Sequence, residues 1–172
     1  MTGFVALLRA VNVGGTGKLT MTDLKALCET AGFTGVRTFI ASGNVVFASP
    51  RSEAEVKATL EARLADYAGK PVPVMVRTAA EMAAVRDSNP FPKAPPNRTV
   101  AVFLDAPPPA DATEKAVGGQ SEVLALGKRE LYVYYPDGMG QSKLRIPAAA
   151  TGTARNMNTV AKLAEMAADL QE

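Results

Sequence analysis

The pattern of hydrophobic and polar positions divides the first half of the chain into short strands and amphipathic helices. The apolar run from Gly3 to Val11 predicts a buried strand, and "TMTDLKALCETAGF" predicts a helix capped by Thr20 or Thr22. The segments "VRTFI" and "VVFAS" flank the turn "ASGN" and predict a hairpin. A helix that starts at the capping box of Ser52 and Glu55, followed by the strand "VPVMVR", completes the series.

The predicted order is therefore β-α-β-β-α-β, followed by one more helix that Thr78 and Glu81 cap and that ends near "SNPF". This is the order of the ferredoxin-like split motif, in which four antiparallel strands carry two helices on one face. We predict a ferredoxin-like N-terminal half over residues 1–89.

A proline-rich segment, "NPFPKAPPN", separates this half from the rest and predicts a linker or a stiff connection. The pattern then restarts with the strand "TVAVFLDA", a short helix within "PPPADATEKAVGG", and the strands "EVLALG" and "ELYVYYP". A loop and an amphipathic terminal helix follow. The expected fold class is therefore α+β: two ferredoxin-like halves with antiparallel sheets, the second and smaller one over residues 98–172, and a C-terminal helix.

Composition narrows the possible chemistry. The chain of 172 residues carries a formal net charge of +2, one cysteine and no histidine. The absence of histidine excludes a Ser–His triad, a Cys–His nucleophile and a histidine-ligated zinc site. A single cysteine provides no disulfide framework, and no apolar run approaches the length of a signal peptide core or a membrane span. We expect a cytoplasmic protein without a membrane partner, and we predict no cofactor.

The glycine-rich segment "NVGGTGKLT" lies between the first strand and the first helix, where phosphate-binding loops occur. Asn12 and Leu19 stand where a Walker loop needs glycine and a hydroxyl residue, so the segment does not match that motif. A flexible turn remains one interpretation. The other is a loop in which the backbone N–H groups around Gly14 and Gly15, together with Lys18, face an anion.

The topology of the split motif brings a second segment to the same place. Its first and third strands are antiparallel central neighbours, so the exit of the first strand lies beside the entry of the third. Arg9 and Asn12 stand at that exit, and Ser42 and Asn44 stand at that entry. Both segments are also consistent with simple turns. Arg9 interrupts an apolar strand, where an unpaired charge is costly, and therefore needs a carboxylate or a bound anion.

The start of the terminal helix, "TGTARNMNTVAKL", holds more polar side chains than a cap requires. We predict that the helix begins between Asn156 and Thr159 and that its N-terminus faces the "SGN" turn, so that both clusters form one anion site. The alternative is that the arginine pairs with an acidic residue and the asparagines only cap. The predicted contributors from this region are Lys143, Thr153, Arg155, Asn156 and Asn158.

Three further groups of residues are weaker candidates. Cys28 lies on the apolar face of the first helix and reads as a core residue. Tyr132 and Tyr134 share one face of a strand, which suits either packing or a stacking platform for bases. No carboxylate pair has a spacing that suggests acid–base catalysis, and Asp23 and Asp137 are isolated acidic residues.

Several separated motifs, "LLRAVNVGG", "SGNVVF", "NPF", "SKL" and "TARNMNTVAKL", occur in this order over nearly the whole chain. In this respect the sequence resembles the family called domain of unknown function 1697. The resemblance implies two ferredoxin-like α+β halves and no established activity. Ala10 and Met157 depart from the family pattern, which has glycine and tryptophan at these positions, and the loss of the aromatic ring favours a packing role for Met157.

From these observations we predict a protein that binds a phosphate-bearing ligand, a nucleotide or a nucleic acid, between its two halves. An alternative is a Mg²⁺-dependent phosphoryl or nucleotidyl enzyme that uses Asp23 or Asp137. A third interpretation is an interaction module in which the motif residues only hold the halves together.

Overall fold

The computed structural model describes residues 1–9, 19–39, 43–140 and 142–170. The chain divides into two compact units, Met1–Ala83 with Lys162–Glu172, and Ala84–Ala161. The first unit contains the strands β1 (Thr2–Leu8), β2 (Thr34–Thr38), β3 (Asn44–Ser49) and β4 (Val74–Thr78), with the helices α1 (Met21–Thr30) and α2 (Glu53–Ala68). Helix α3 (Ala79–Asp87) follows β4 and crosses the boundary between the units.

The sheet of the first unit is antiparallel, with the strand order β2-β3-β1-β4. The predicted pairing of the first strand with the third is therefore confirmed, and β1 and β3 lie at the centre. Strand β1 ends at Leu8, earlier than the predicted Val11. Arg9 thus follows the strand and does not interrupt it.

Both faces of this sheet are buried. Alternate residues of β1 and β3, among them Phe4 and Phe47, pack in a core cluster with α1 and α2, where the rings of Phe33 and Phe47 stack at 4.3 Å. The residues between them are also buried, including Val5, Leu7, Val46 and Met75 on the opposite face. This explains why the strands read as continuous apolar runs in place of an alternating pattern.

The local signals at the helix ends are confirmed. Thr20, the first of the two candidates, caps α1 through its Oγ1, which accepts the N–H of Asp23 at 3.0 Å. Ser52 and Glu55 form the complete capping box of α2. Gly69 ends that helix in the left-handed conformation at φ 71°. Thr78 and Glu81 exchange the same pair of hydrogen bonds before α3.

Two side chains of α2 cover the outer edge of β4. The carboxylate of Glu61 accepts the N–H of Val74 at 3.0 Å, and the ammonium of Lys57 donates to the Val74 carbonyl at 2.6 Å. Lys57 and Glu61 also pair with each other at 2.9 Å. Because β4 is an edge strand, these bonds occupy backbone groups that another strand would otherwise bind.

The second unit contains β5 (Thr99–Phe103), β6 (Val123–Leu126), β7 (Glu130–Tyr134) and β8 (Thr153–Asn156), followed by α4 (Met157–Ala168). Its antiparallel sheet has the order β6-β7-β5-β8, which is again second, third, first and fourth along the chain. The protein is thus α+β, with two four-stranded antiparallel sheets and a C-terminal helix, as predicted at that level.

One prediction for the second half is wrong, and one strand was missed. Residues 104–122, all of which are described, form turns and no short helix, because prolines and glycines at both ends leave too few residues for stable helical turns. Strand β8 was not predicted, because its four residues, "TARN", lack strand-forming composition and pass directly into α4. The segment read as an elaborate helix start is therefore an edge strand followed by a helix.

The proline-rich segment groups with the second unit and does not separate the two. The ring of Phe91 lies 6.1 Å from that of Tyr134, and the guanidinium of Arg98 donates to the carbonyl of Pro136. A short 3-10 helix, Pro96–Arg98, leads into β5. The boundary between the units lies earlier, within α3.

Helix α4 begins at Met157, within the predicted range. Its expected apolar stripe is buried at Met157, Val160, Leu163 and Ala167. From Lys162 onward the helix groups with the first unit, which differs from the predicted division into residues 1–89 and 98–172. No helix among the described residues is long and apolar enough to cross a membrane.

We predict that Glu61→Ala lowers the free energy of unfolding by about 1–2 kcal/mol, because the N–H of Val74 loses its acceptor. The control is Glu165→Ala, which removes a helical carboxylate that pairs with Lys162 at 3.7 Å. This exposed pair should contribute little. Urea unfolding of both variants measures the difference, and equal losses would contradict a role for Glu61 at the strand edge.

Candidate functional site

The exit of β1 lies beside the entry of β3. Leu7 pairs with Asn44 in the register, and the N–H of Leu8 donates to the carbonyl of Gly43 at 2.9 Å. On the other side, the N–H of Arg9 donates to the carbonyl of Pro73, just before β4, also at 2.9 Å. Three strand ends thus meet at one end of the first sheet.

Arg9 is half-buried at this end of the sheet. Because it follows β1, it does not bear the full cost of a charge inside a central strand. Asp23, at the start of α1, accepts a hydrogen bond from the hydroxyl of Tyr67 at 2.7 Å. This bond is the main cause that raises the pKa of Tyr67.

Asn44 holds the ends of the β2–β3 connection together. Its side chain is fully buried, and its Nδ2 donates to the carbonyl of Phe39 at 3.0 Å. The N–H of Phe39 donates to the carbonyl of Asn44 at 3.1 Å. The amide of Asn44 therefore fixes the points from which residues 40–42 leave and return.

The described residues on either side of the glycine-rich segment belong to the first unit. The segment follows Arg9, and the chain returns at Leu19, which is buried in the core of the first unit, and at Thr20, the cap of α1. Five predicted site residues lie outside the described residues: Asn12, Gly14, Gly15, Lys18 and Ser42.

In the second unit, Thr153 and Arg155 project from the same face of β8, and both are buried. The Nη1 of Arg155 donates to Oγ1 of Thr153 at 2.6 Å and to the carbonyl of Ala154 at 2.9 Å. Burial lowers the pKa of Arg155 to about 10, so it remains protonated at neutral pH. These bonds give Arg155 and Thr153 partners within the protein.

Asn156 is the cap of α4. Its Oδ1 accepts the N–H of Thr159 at 2.9 Å, which satisfies one of the unpaired donors of the first turn. Asn158 is exposed in that turn. The polar excess of "TARNMNT" is thus explained in part by the edge strand and in part by the cap.

Lys143 lies elsewhere in the second unit, on a polar cleft of about 330 Å³ whose lining includes Glu122, Asp137 and Ser142. Both carboxylates are hydrogen-bonded. Glu122 accepts from the N–H of Gln120 at 2.9 Å and from the hydroxyl of Ser142 at 3.3 Å. Asp137 accepts from the hydroxyl of Ser121 at 2.7 Å.

Tyr132 has a packing role. It is 2% exposed, and its hydroxyl donates to the carbonyl of Val85 at 2.9 Å. Burial, assisted by the charge of Glu130, raises its pKa to about 12. Because its ring is enclosed, it is not a platform for bases, and the packing interpretation holds.

Cys28 is a core residue, as predicted. It is fully buried within the cluster between α1, α2 and the first sheet. Burial raises the pKa of its thiol to about 12, so the reactive thiolate is strongly disfavoured. Over the described part of the chain, no three acidic or cysteine side chains are grouped in a way that holds a metal ion.

The sequence analysis did not predict two buried charged residues. Arg77 on β4 is 1% exposed and donates to the carbonyl of Val76 at 3.0 Å, and Glu130 on β7 is buried as well. Each stands at a polar position next to apolar residues, the pattern that usually indicates a solvated sheet face. No local signal distinguishes them from solvated residues, because their burial depends on what covers the sheet.

The comparisons with known proteins agree with this fold. The family model described as "Protein of unknown function (DUF1697)" matches residues 1–132. The structure of the conserved bacterial protein SP0830 from Streptococcus pneumoniae is similar, with a TM-score of 0.79 and 24% identity over 96% of this chain and 98% of that one. At that identity the similarity concerns the fold alone. No curated protein matches the sequence.

We predict that Asn156→Ala lowers the free energy of unfolding by about 1 kcal/mol, because the first turn of α4 loses its cap. Asn158→Ala is the matched control, since it removes the same amide from an exposed position in the same turn. Urea unfolding should leave the control close to the wild type. An equal loss in both variants would indicate that side-chain truncation, and not capping, is responsible.

We predict that Tyr132→Phe destabilises the protein by about 1 kcal/mol at neutral pH, because the Val85 carbonyl loses its donor. The fold raises the pKa of Tyr132 from 10.0 to about 12, so the unfolded chain ionises first. The stabilisation by the hydroxyl is therefore complete below pH 10 and is lost as the pH rises toward 12. Unfolding of both proteins across this range should show the difference shrinking, and a constant difference would contradict the assignment.

Proposed function

The chain belongs to the DUF1697 family, whose function is unknown, and from its own residues we propose that it binds a phosphate-bearing ligand, a nucleotide or a nucleic acid. The proposed site is the end of the first sheet where β1 leaves and β3 enters. Its members are Arg9, Asn12, Gly14, Gly15, Lys18, Ser42 and Asn44.

One observation carries this proposal: the hydrogen bond from the N–H of Leu8 to the carbonyl of Gly43, at 2.9 Å. It makes neighbours of Leu8, which precedes the glycine-rich segment in the chain, and Gly43, which follows residues 40–42. Two segments that are distant in sequence, and rich in glycine and polar residues, therefore leave the described chain at adjacent points. A turn alone does not require a second polar segment next to it.

The residue types suit a phosphate group. Arg9 and Lys18 supply positive charge, and the hydroxyl of Ser42 supplies a further donor. Gly14 and Gly15 allow backbone N–H groups to approach an anion without a side chain in the way. We assign Asn44 a positioning role, because its amide already bonds the Phe39 carbonyl.

The proposal treats each half as ferredoxin-like. The strand order of both sheets and the two helices of the first unit support this for the first half. For the second half, only the strand order supports it.

The second predicted cluster remains a prediction. It comprises Lys143, Thr153, Arg155, Asn156 and Asn158. Arg155, Thr153 and Asn156 already have partners within the protein, which favours the alternative that they are structural. Arg155→Ala separates the two roles: loss of stability without loss of ligand affinity assigns Arg155 to the structure alone.

We predict that Lys18→Ala weakens binding of a nucleotide or short oligonucleotide by at least about tenfold, since a charge-assisted bond to phosphate is lost. Thermal stabilisation of the wild type across nucleotides, inorganic phosphate and short oligonucleotides identifies the ligand. The matched control is Lys25→Ala, which removes one charge from the exposed face of α1. Its affinity should equal that of the wild type, apart from a small effect of net charge.

Salt dependence then distinguishes the ligand class, because binding to a nucleic acid releases counterions in proportion to the phosphates contacted. Turnover of a nucleotide in the presence of Mg²⁺ would indicate the enzyme in place of the binding protein. If no phosphate-bearing probe shifts the melting temperature of the wild type, or if Lys18→Ala and Lys25→Ala lose affinity equally, the proposed site is wrong.

A further inference from the structure

Strand β6 forms one edge of the second sheet and is apolar. It pairs with β7 on one side, and no described strand pairs with its other side. Val123 and Leu126 are 45% and 42% exposed. Such an edge offers both backbone hydrogen-bonding groups and apolar side chains to another strand.

The hairpin fixes which backbone groups point outward. The N–H of Gly127 donates to the carbonyl of Glu130 at 2.7 Å, so the backbone N–H and carbonyl groups of Gly127 point toward β7. The direction of the backbone N–H and carbonyl groups alternates from residue to residue along an antiparallel strand. The backbone groups of Ala125 and Val123 therefore also point toward β7. The N–H and carbonyl groups of Leu124 and Leu126 therefore face the open side.

This edge lacks the protection found in the first unit. There, Lys57 and Glu61 occupy the outward groups of β4 at Val74. The sequence of β6, "VLAL", contains neither a proline nor a charge that would prevent pairing with another strand.

We propose that β6 pairs with β6 of a second copy of this chain, antiparallel, with the two-fold axis at Ala125. Leu124 of one copy then lies opposite Leu126 of the other, and their outward N–H and carbonyl groups bond each other. The two sheets become one continuous sheet. Four backbone hydrogen bonds and a few apolar contacts make a weak dimer.

The charges of Glu122 and Lys128 favour this register over the other possible registers. Pairings centred on Leu124 or Leu126 also match the outward groups. Only the pairing centred on Ala125 brings Glu122 of each copy next to Lys128 of the other. Lys128 is exposed, and Glu122 retains its bonds within the cleft of its own chain. Opposite charges across paired strands stabilise the pairing.

Disulfide trapping tests both the partner and the register. In this register the two Ala125 residues lie directly opposite each other, and their backbone groups bond β7 and not the partner strand. The Cα atoms of such a pair are about 4.5 Å apart, so Ala125→Cys places two thiols within bonding range. Diamide, which accepts the two electrons and two protons, should link them into a species of twice 18.0 kDa. The buried Cys28 takes no part.

The matched control is Val123→Cys, at a more exposed position of the same strand, where random collision would link the chains more readily. In this register the two Val123 sites are four residues apart along the strands, about 13 Å, which a disulfide does not span. Equal linking of both variants would indicate random collision and overturn the proposal. A wild-type chain that sediments as a monomer at all concentrations would overturn it independently of either cysteine.

A charge in the strand provides the third measurement. Leu126→Lys should raise the concentration needed for dimer formation by at least about tenfold, because it places two lysines in the pairing region. Met139→Lys is the control, since Met139 is 46% exposed and lies outside β6. Sedimentation of both variants distinguishes this edge from other surfaces. If Leu126→Lys dimerises as the wild type does, another surface forms the dimer.

Discussion

The antiparallel pairing of β1 with β3 is the constraint on which the first unit depends. Strand β1 is bonded on both sides, and its residues from Gly3 to Leu8 are buried. A shift of the register by one residue would exchange the side chains of the two buried faces, so the register is strongly determined. The same register fixes where Arg9 and Gly43 lie. The packing of β1 and β3 in the core therefore also determines the geometry of the candidate site.

The two sheets have the same strand order, but different kinds of segment cover their apolar faces. In the first unit, α1 and α2 supply the apolar residues that cover one face. In the second unit, the corresponding core is completed by residues from irregular segments, among them Ala112, Leu144 and Ile146. The order second-third-first-fourth is thus compatible with helical and with irregular connections. Loop residues that bury apolar side chains can replace a helix when the sheet is small.

The sequence predicted those features that depend on neighbouring residues. The capping box of Ser52 and Glu55 was read correctly, because a few adjacent residues determine it. Strand β8 was missed, because pairing with the distant β5 stabilises a segment of weak strand propensity. Arg155 stays predicted as an anion ligand, and the structure adds that it bonds Thr153, two positions before it on the strand. Sequence identifies which groups can bind an ion, and tertiary structure decides which already have a partner.

The membership of the last helix in the first unit has a consequence for synthesis on the ribosome. The unit comprises Met1–Ala83 together with the residues from Lys162 onward. Leu170 lies so close to Gly35 that a β-carbon there would approach its Cδ2 to 2.8 Å. The second unit is contiguous and is made in full before these residues emerge. Chain order and folding order therefore differ: the first sheet is completed only after the residues from Lys162 onward emerge, and a nascent chain exposes an incomplete apolar face until then.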